Sequence, residues 1–138
     1  MPATLYTEMN DTLFTQLSKI KLLVCDVDGV FSDGRIYLGN AGEELKAFHT
    51  RDGYGVKALV SHNVNVAVIT GRRSAIVENR MEALNVAHII QGEENKAEAL
   101  SALMETLELN ADDVAAVGDD MPDIGMFKHV AVKIAVAD

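Results

Sequence analysis

Two aspartates one residue apart, Asp26 and Asp28, sit within the stretch LLVCDVDGVFSDG. The run before them is apolar and reads as a buried strand. Its tip therefore carries two carboxylates that are costly to desolvate together without a cation or a proton. A second acidic cluster, GDDMPD, brings Asp119, Asp120 and Asp123 to the end of another apolar run. Several carboxylates at one place repel each other unless a metal joins them, and hard oxygen donors completed by water suit Mg2+ best. Thr70-Gly71-Arg72 offers a hydroxyl, an accessible main-chain N–H and a helix N-terminus, which together make an anion site. Lys96 is the best-placed cation to offset the acids and hold a phosphate. Singly, each feature has an ordinary explanation: a turn facing water, a threonine N-cap, a solvated lysine. Together they describe a Mg2+-dependent phosphohydrolase. In that chemistry one carboxylate attacks phosphorus and a second, two residues on, moves the proton.

Bringing these groups together requires a particular scaffold. After a helix over 10–19, IKLLVCDV reads as a buried strand, and GRIYLGNAGEELKAFHT as a hairpin turning at Gly39-Asn40-Ala41-Gly42. DGYGVKALVSHN is helical, with Asp52 as its N-cap. VNVAVIT, VAHIIQ, DVAAVGDD and VAVKIAVAD read as further strands. RRSAIVENRMEALN and ENKAEALSALMETLELN are amphipathic helices between them, and MPDIGMFK is a short helix or turn. Apolar strands alternating with helices give an α/β fold: a three-layer, Rossmann-like parallel sheet with flanking helices. Ligands bind such sheets at the carboxyl ends of the strands. Asp26 and Asp28, Thr70 and Asp119 all leave strands at that rim, and Lys96 opens the helix after the third. Nothing marks a domain boundary, so residues 1–138 read as a single domain with a hairpin flap at about 34–49.

Other chemistries fit less well. The Ca2+-loop pattern fails because Val30 and Phe31 occupy its third-ligand and glycine positions, and no His/Cys cluster suggests zinc. Cys25 lacks the arginine of a cysteine phosphatase, since Phe31 stands there, and reads as a small core residue. Gly53-Tyr54-Gly55-Val56-Lys57-Ala58 matches a dinucleotide fingerprint only weakly, because it follows a hairpin piece with a charged junction. Of the four histidines only His49 belongs near the site. A net charge of -9 argues against nucleic acid or an anionic membrane as partner. A lone cysteine, no signal-peptide pattern and no membrane-length apolar run point to a cytoplasmic protein.

DVDG, ITGR, Lys96 and GDDMPD, in that order, resemble the four motifs of the haloacid dehalogenase superfamily of phosphatases. FSDG, the hairpin, FHTRDGYGVKAL, QGEENK and the closing AVAD extend the resemblance to its small branch without a cap domain. Within that branch the sequence is similar to the 3-deoxy-D-manno-octulosonate 8-phosphate phosphatases, from about Lys21 onward. The similarity implies hydrolysis of this phosphorylated keto-sugar acid, through an aspartyl-phosphate, in lipopolysaccharide precursor synthesis. Asp26 is then nucleophile and metal ligand, and Asp28 is acid/base, giving its main-chain carbonyl to the metal. Asp119 is a metal ligand, and Thr70, Gly71 and Lys96 bind phosphate. Arg72, Asp120 and Asp123 support them, and Arg51 and Asp52 shape the substrate pocket. The resemblance further implies a homotetramer whose hairpins cover each other's sites. It departs in one respect: the branch continues past AVAD into a glycine-rich tail, whereas this sequence stops at Asp138.

Two rival activities fit the same motifs. One is a phosphatase for a related nine-carbon keto-sugar acid phosphate, which shares the phosphate group. The other is a receiver-like phosphoacceptor domain, in which the phosphorylated aspartate ends a middle strand and no acid/base partner is needed.

Overall fold

The computed structural model describes residues 11–28, 30–32, 35, 37–118 and 124–135. In chain order the elements begin with helix α1 (Asp11–Ser18), strand β1 (Leu22–Cys25) and the hairpin strands β2 (Tyr37–Leu38) and β3 (Glu44–Leu45). Helix α2 (Thr50–Ser61), strand β4 (Asn65–Ile69), helix α3 (Ala75–Ala83) and strand β5 (His88–Ile90) follow. Helix α4 (Lys96–Thr106), a 3-10 turn (Ala111–Asp113), strand β6 (Val114–Gly118), helix α5 (Ile124–Phe127) and strand β7 (Val132–Ala135) complete the series.

Five strands form one parallel sheet in the order β5-β4-β1-β6-β7. Counting only these strands along the chain, the order is 3-2-1-4-5. That is the Rossmann arrangement; a receiver-like, flavodoxin-type sheet runs 2-1-3-4-5. The order therefore separates this fold from the phosphoacceptor alternative. β1 is central, and the chain reverses direction across the sheet between β5 and β6, so the switch point lies at the ends of β1 and β6.

Both faces of the sheet are covered, which is why its strands are apolar at nearly every position rather than at alternate ones. Leu22, Val24, Ala67, Ile69, Val114 and Ala116 pack with Leu100, Leu103, Met104 and Met126 on the α4 and α5 side. Cys25, Val66 and Val68 pack with Val56, Val77, Met81 and Leu84 on the α2 and α3 side. Among the described residues no helix is long and apolar enough to cross a membrane.

The hairpin turns where glycine and asparagine place it. Gly39 N–H donates to the Glu43 carbonyl (2.9 Å), and Gly42 takes φ +86, which a side chain would oppose. Helix α2 departs from expectation at its start. It begins at Thr50, and the cap is His49, whose Nδ1 accepts from Arg51 N–H at 3.0 Å; Asp52 instead lies in the first turn. An imidazole nitrogen in extended backbone just ahead of the helix satisfies an orphan donor that Asp52, already helical, cannot reach.

Candidate active site

β1 ends at Cys25 because the next residue must leave the hydrophobic layer. Asp26 keeps one ladder bond, donating its N–H to the Val117 carbonyl (3.2 Å), while its Oδ1 accepts from Val27 N–H (2.8 Å). Its side chain is nonetheless buried, and Lys96 Nζ stands 3.2 Å from Oδ1. Lys96 is buried too, at the first position of α4. Asn95 caps that helix by accepting from Glu98 N–H (3.2 Å), so the lysine projects from a fixed end. A buried ammonium facing a buried carboxylate is stable only as a pair.

Thr70 follows β4 and is 3% exposed. Its N–H donates to the Ile90 carbonyl (2.9 Å) and its carbonyl accepts from Glu93 N–H (3.1 Å), which holds it between two strand ends. Gly71, next in the chain, leaves open space where a Cβ would stand: the nearest neighbouring atom is the Glu93 carbonyl oxygen at 4.0 Å. Arg72 is half exposed, with Nη2 3.5 Å from Glu44 Oε1. Asp28 lies one residue past Val27 with a part-buried carboxylate. Asp119, Asp120 and Asp123 lie outside the described residues; the chain reaches them directly from Gly118, the last residue of β6.

Above this rim is a cavity of about 300 Å3 lined by Val30, Phe31, Ser32, Ala47, Phe48, His49 and Asp52. Asp52 thus faces a space between the loop after β1 and the hairpin, and His49 is beside it. Arg51 is exposed on the first turn of α2.

Two charged residues at the rim escape a reading of the sequence. Lys46, just beyond β3, has its Nζ 2.7 Å from Asp28 Oδ1 and a side chain only 1% exposed. Glu44 lies between it and Arg72, its Oε1 3.8 Å from Lys46 Nζ. In sequence, ELK in a glycine-punctuated hairpin looks like a solvated strand. Only the return of the hairpin onto the rim of β1 shows otherwise.

The neighbouring Cys25 is chemically quiet. Burial, with the negative charge of Asp26 and then Asp52, pushes its thiol up from 9.0 to about 12. The carboxylates that the described residues bring to the rim, Asp26 and Asp28, are hard oxygen donors that suit a small hard cation. Among the described residues no three acidic, histidine or cysteine side chains group as a metal cage by themselves.

A family profile described as haloacid dehalogenase-like hydrolase matches residues 84–138. The chain is 45% identical over 135 residues to 3-deoxy-D-manno-octulosonate 8-phosphate phosphatase KdsC of Yersinia pestis, covering 98% of this chain and 72% of that protein. A structure of the putative 3-deoxy-D-manno-octulosonate 8-phosphate phosphatase from Vibrio cholerae superposes with a TM-score of 0.95 at 51% identity, over 99% of this chain and 76% of that one. The Moraxella catarrhalis phosphatase, crystallised with magnesium, phosphate and KDO, superposes with a TM-score of 0.90 at 38% identity, over 94% and 74%. The sheet order, the residues gathered at its rim and these similarities agree, and the chain belongs to the 3-deoxy-D-manno-octulosonate 8-phosphate phosphatase family of haloacid dehalogenase-like hydrolases.

Proposed function

We propose that this protein is a Mg2+-dependent phosphomonoesterase that hydrolyses 3-deoxy-D-manno-octulosonate 8-phosphate to the free sugar acid and phosphate. The observation that carries the reading is the buried Asp26–Lys96 pair at the tip of the central strand, in a chain of this family. An aspartate there has a cation beside it to cancel its repulsion from a dianionic phosphate.

In the first half-reaction a carboxylate oxygen of Asp26 attacks phosphorus and the bond to the sugar oxygen breaks. Asp28 gives its proton to the departing alkoxide. In the second, water loses a proton to Asp28 and attacks the phosphorus, releasing phosphate and restoring Asp26. Thr70, the Gly71 N–H and Lys96 bind the phosphoryl oxygens, and Arg72, Asp120 and Asp123 support them. Asp26, the Asp28 carbonyl and Asp119 would hold Mg2+, which neutralises charge on the transferring group. Arg51 and Asp52 border the sugar.

The same reading includes self-association. Tyr37, Leu38 and Leu45 on the hairpin are large, apolar and exposed, Leu38 to 74%, a surface suited to a second copy of the chain in a homotetramer. The acidic balance and the lone cysteine support a cytoplasmic enzyme without nucleic-acid or membrane partners.

The test is phosphate release from a panel of sugar phosphates with Mg2+. The eight-carbon keto-sugar acid phosphate is expected to give the highest kcat/KM, and chelation to stop turnover. Preference for the nine-carbon homologue would reassign the substrate; undiminished turnover under exhaustive chelation would remove the metal.

A further inference from the structure

Among the described residues two side chains reach the Asp28 carboxylate, and both lie where the hairpin packs on the loop after β1. Ser32 Oγ lies 3.5 Å from Asp28 Oδ1, and Lys46 Nζ lies 2.7 Å from the same oxygen. An isolated antiparallel bridge joins Ser32 to Phe48, two residues past Lys46, so the returning arm of the hairpin is stitched to the loop that follows Asp28. The ammonium is almost wholly buried, whereas the carboxylate it meets is 24% exposed. From Lys46 the charges continue through Glu44 to Arg72, linking the tips of β1 and β4 across the hairpin.

We propose that Lys46 is a positioning residue for proton transfer by Asp28. The proposal rests on the phosphatase reading and adds a residue to it. With Oδ1 held by the ammonium, Asp28 presents Oδ2 to the leaving oxygen in one orientation. An unheld carboxylate can rotate and swing, and proton transfer requires the acid within hydrogen-bond reach of its target. Lys46 itself touches neither the phosphate nor the sugar in this assignment.

A role confined to Asp28 has a signature that general damage lacks. An alkoxide leaves poorly without a proton, whereas p-nitrophenolate leaves without one. The parameter to compare is kcat/KM, which covers the steps through departure of the alcohol and excludes the later attack by water. For K46M, kcat/KM is expected to fall about tenfold or more on the sugar phosphate, an alkyl ester, as for a weakened general acid. On p-nitrophenyl phosphate the fall is expected to stay below about threefold. K46R, which restores a cation, recovers most of the loss on the alkyl ester. K46Q serves the comparison if K46M does not fold, as judged by circular dichroism. Equal losses on the two esters, no loss on the alkyl ester, or no recovery in K46R would overturn the proposal. A wild-type protein inert towards both esters would instead overturn the phosphatase reading, and the proposal with it.

Discussion

At the scale of single residues, the last residue of β1 and the one after it have opposite fates. Cys25 turns into the core and Asp26 turns to the rim. The thiol's pKa is raised in the folded chain, so its contribution to stability is complete below 9.0 and is lost as pH rises towards about 12. The native protein is expected to leave a thiol reagent unreacted at pH 8 and to react once denatured, as a colorimetric thiol assay would show. Ready labelling of the native form would contradict the burial. Asp26→Asn removes the proposed nucleophile and a metal ligand together, and is expected to lower kcat by about a thousandfold or more with an unchanged far-ultraviolet spectrum. Asp26, Asp28, Thr70 and Lys96 were legible in the sequence because each follows a strand or opens a helix, where chain position alone fixes the rim. Lys46 was not, because its place depends on how a hairpin folds back, and charge pattern does not encode that.

At the scale of elements, helix α4 shows how a cap serves chemistry. Asn95 accepts from Glu98 N–H, and its amide donates to Glu98 Oε2 at 3.1 Å, fixing the turn from which Lys96 reaches Asp26. Asn95→Ala is expected to cost about 1 kcal/mol in urea unfolding. It should also raise KM for the phosphate ester, since Lys96, proposed to bind the phosphate, loses its fixed base. An unchanged KM would separate the cap from the site. In the core, Met81 is fully buried between α3 and the sheet, and Met81→Ala is expected to cost about 2–5 kcal/mol. Strands and helices were readable because buried parallel strands are continuous apolar runs and the helices repeat at 3.6 residues. The start of α2 is not legible, because aspartate is the commoner cap and a histidine capping through its ring nitrogen carries no composition signal.

At the scale of the whole molecule, strand order decides between activities that share aspartates, a threonine, a lysine and Mg2+. The alternation of strands and helices in the sequence implies a parallel sheet but not the order 3-2-1-4-5, which depends on how each crossover packs. The hairpin exposes Leu38 and Leu45, the surface proposed for assembly. Light scattering at micromolar concentration is expected to find a tetramer, and L38E with L45E to yield smaller species; a wild-type monomer would contradict the assignment. The central proposal is that the Asp26 carboxylate takes up the phosphoryl group. Borohydride added during turnover of the sugar phosphate reduces an acyl phosphate to an alcohol, and peptide mass spectrometry locates it. Asp26 is expected to become homoserine, only when substrate and Mg2+ are both present. An active enzyme trapped at another residue would contradict it.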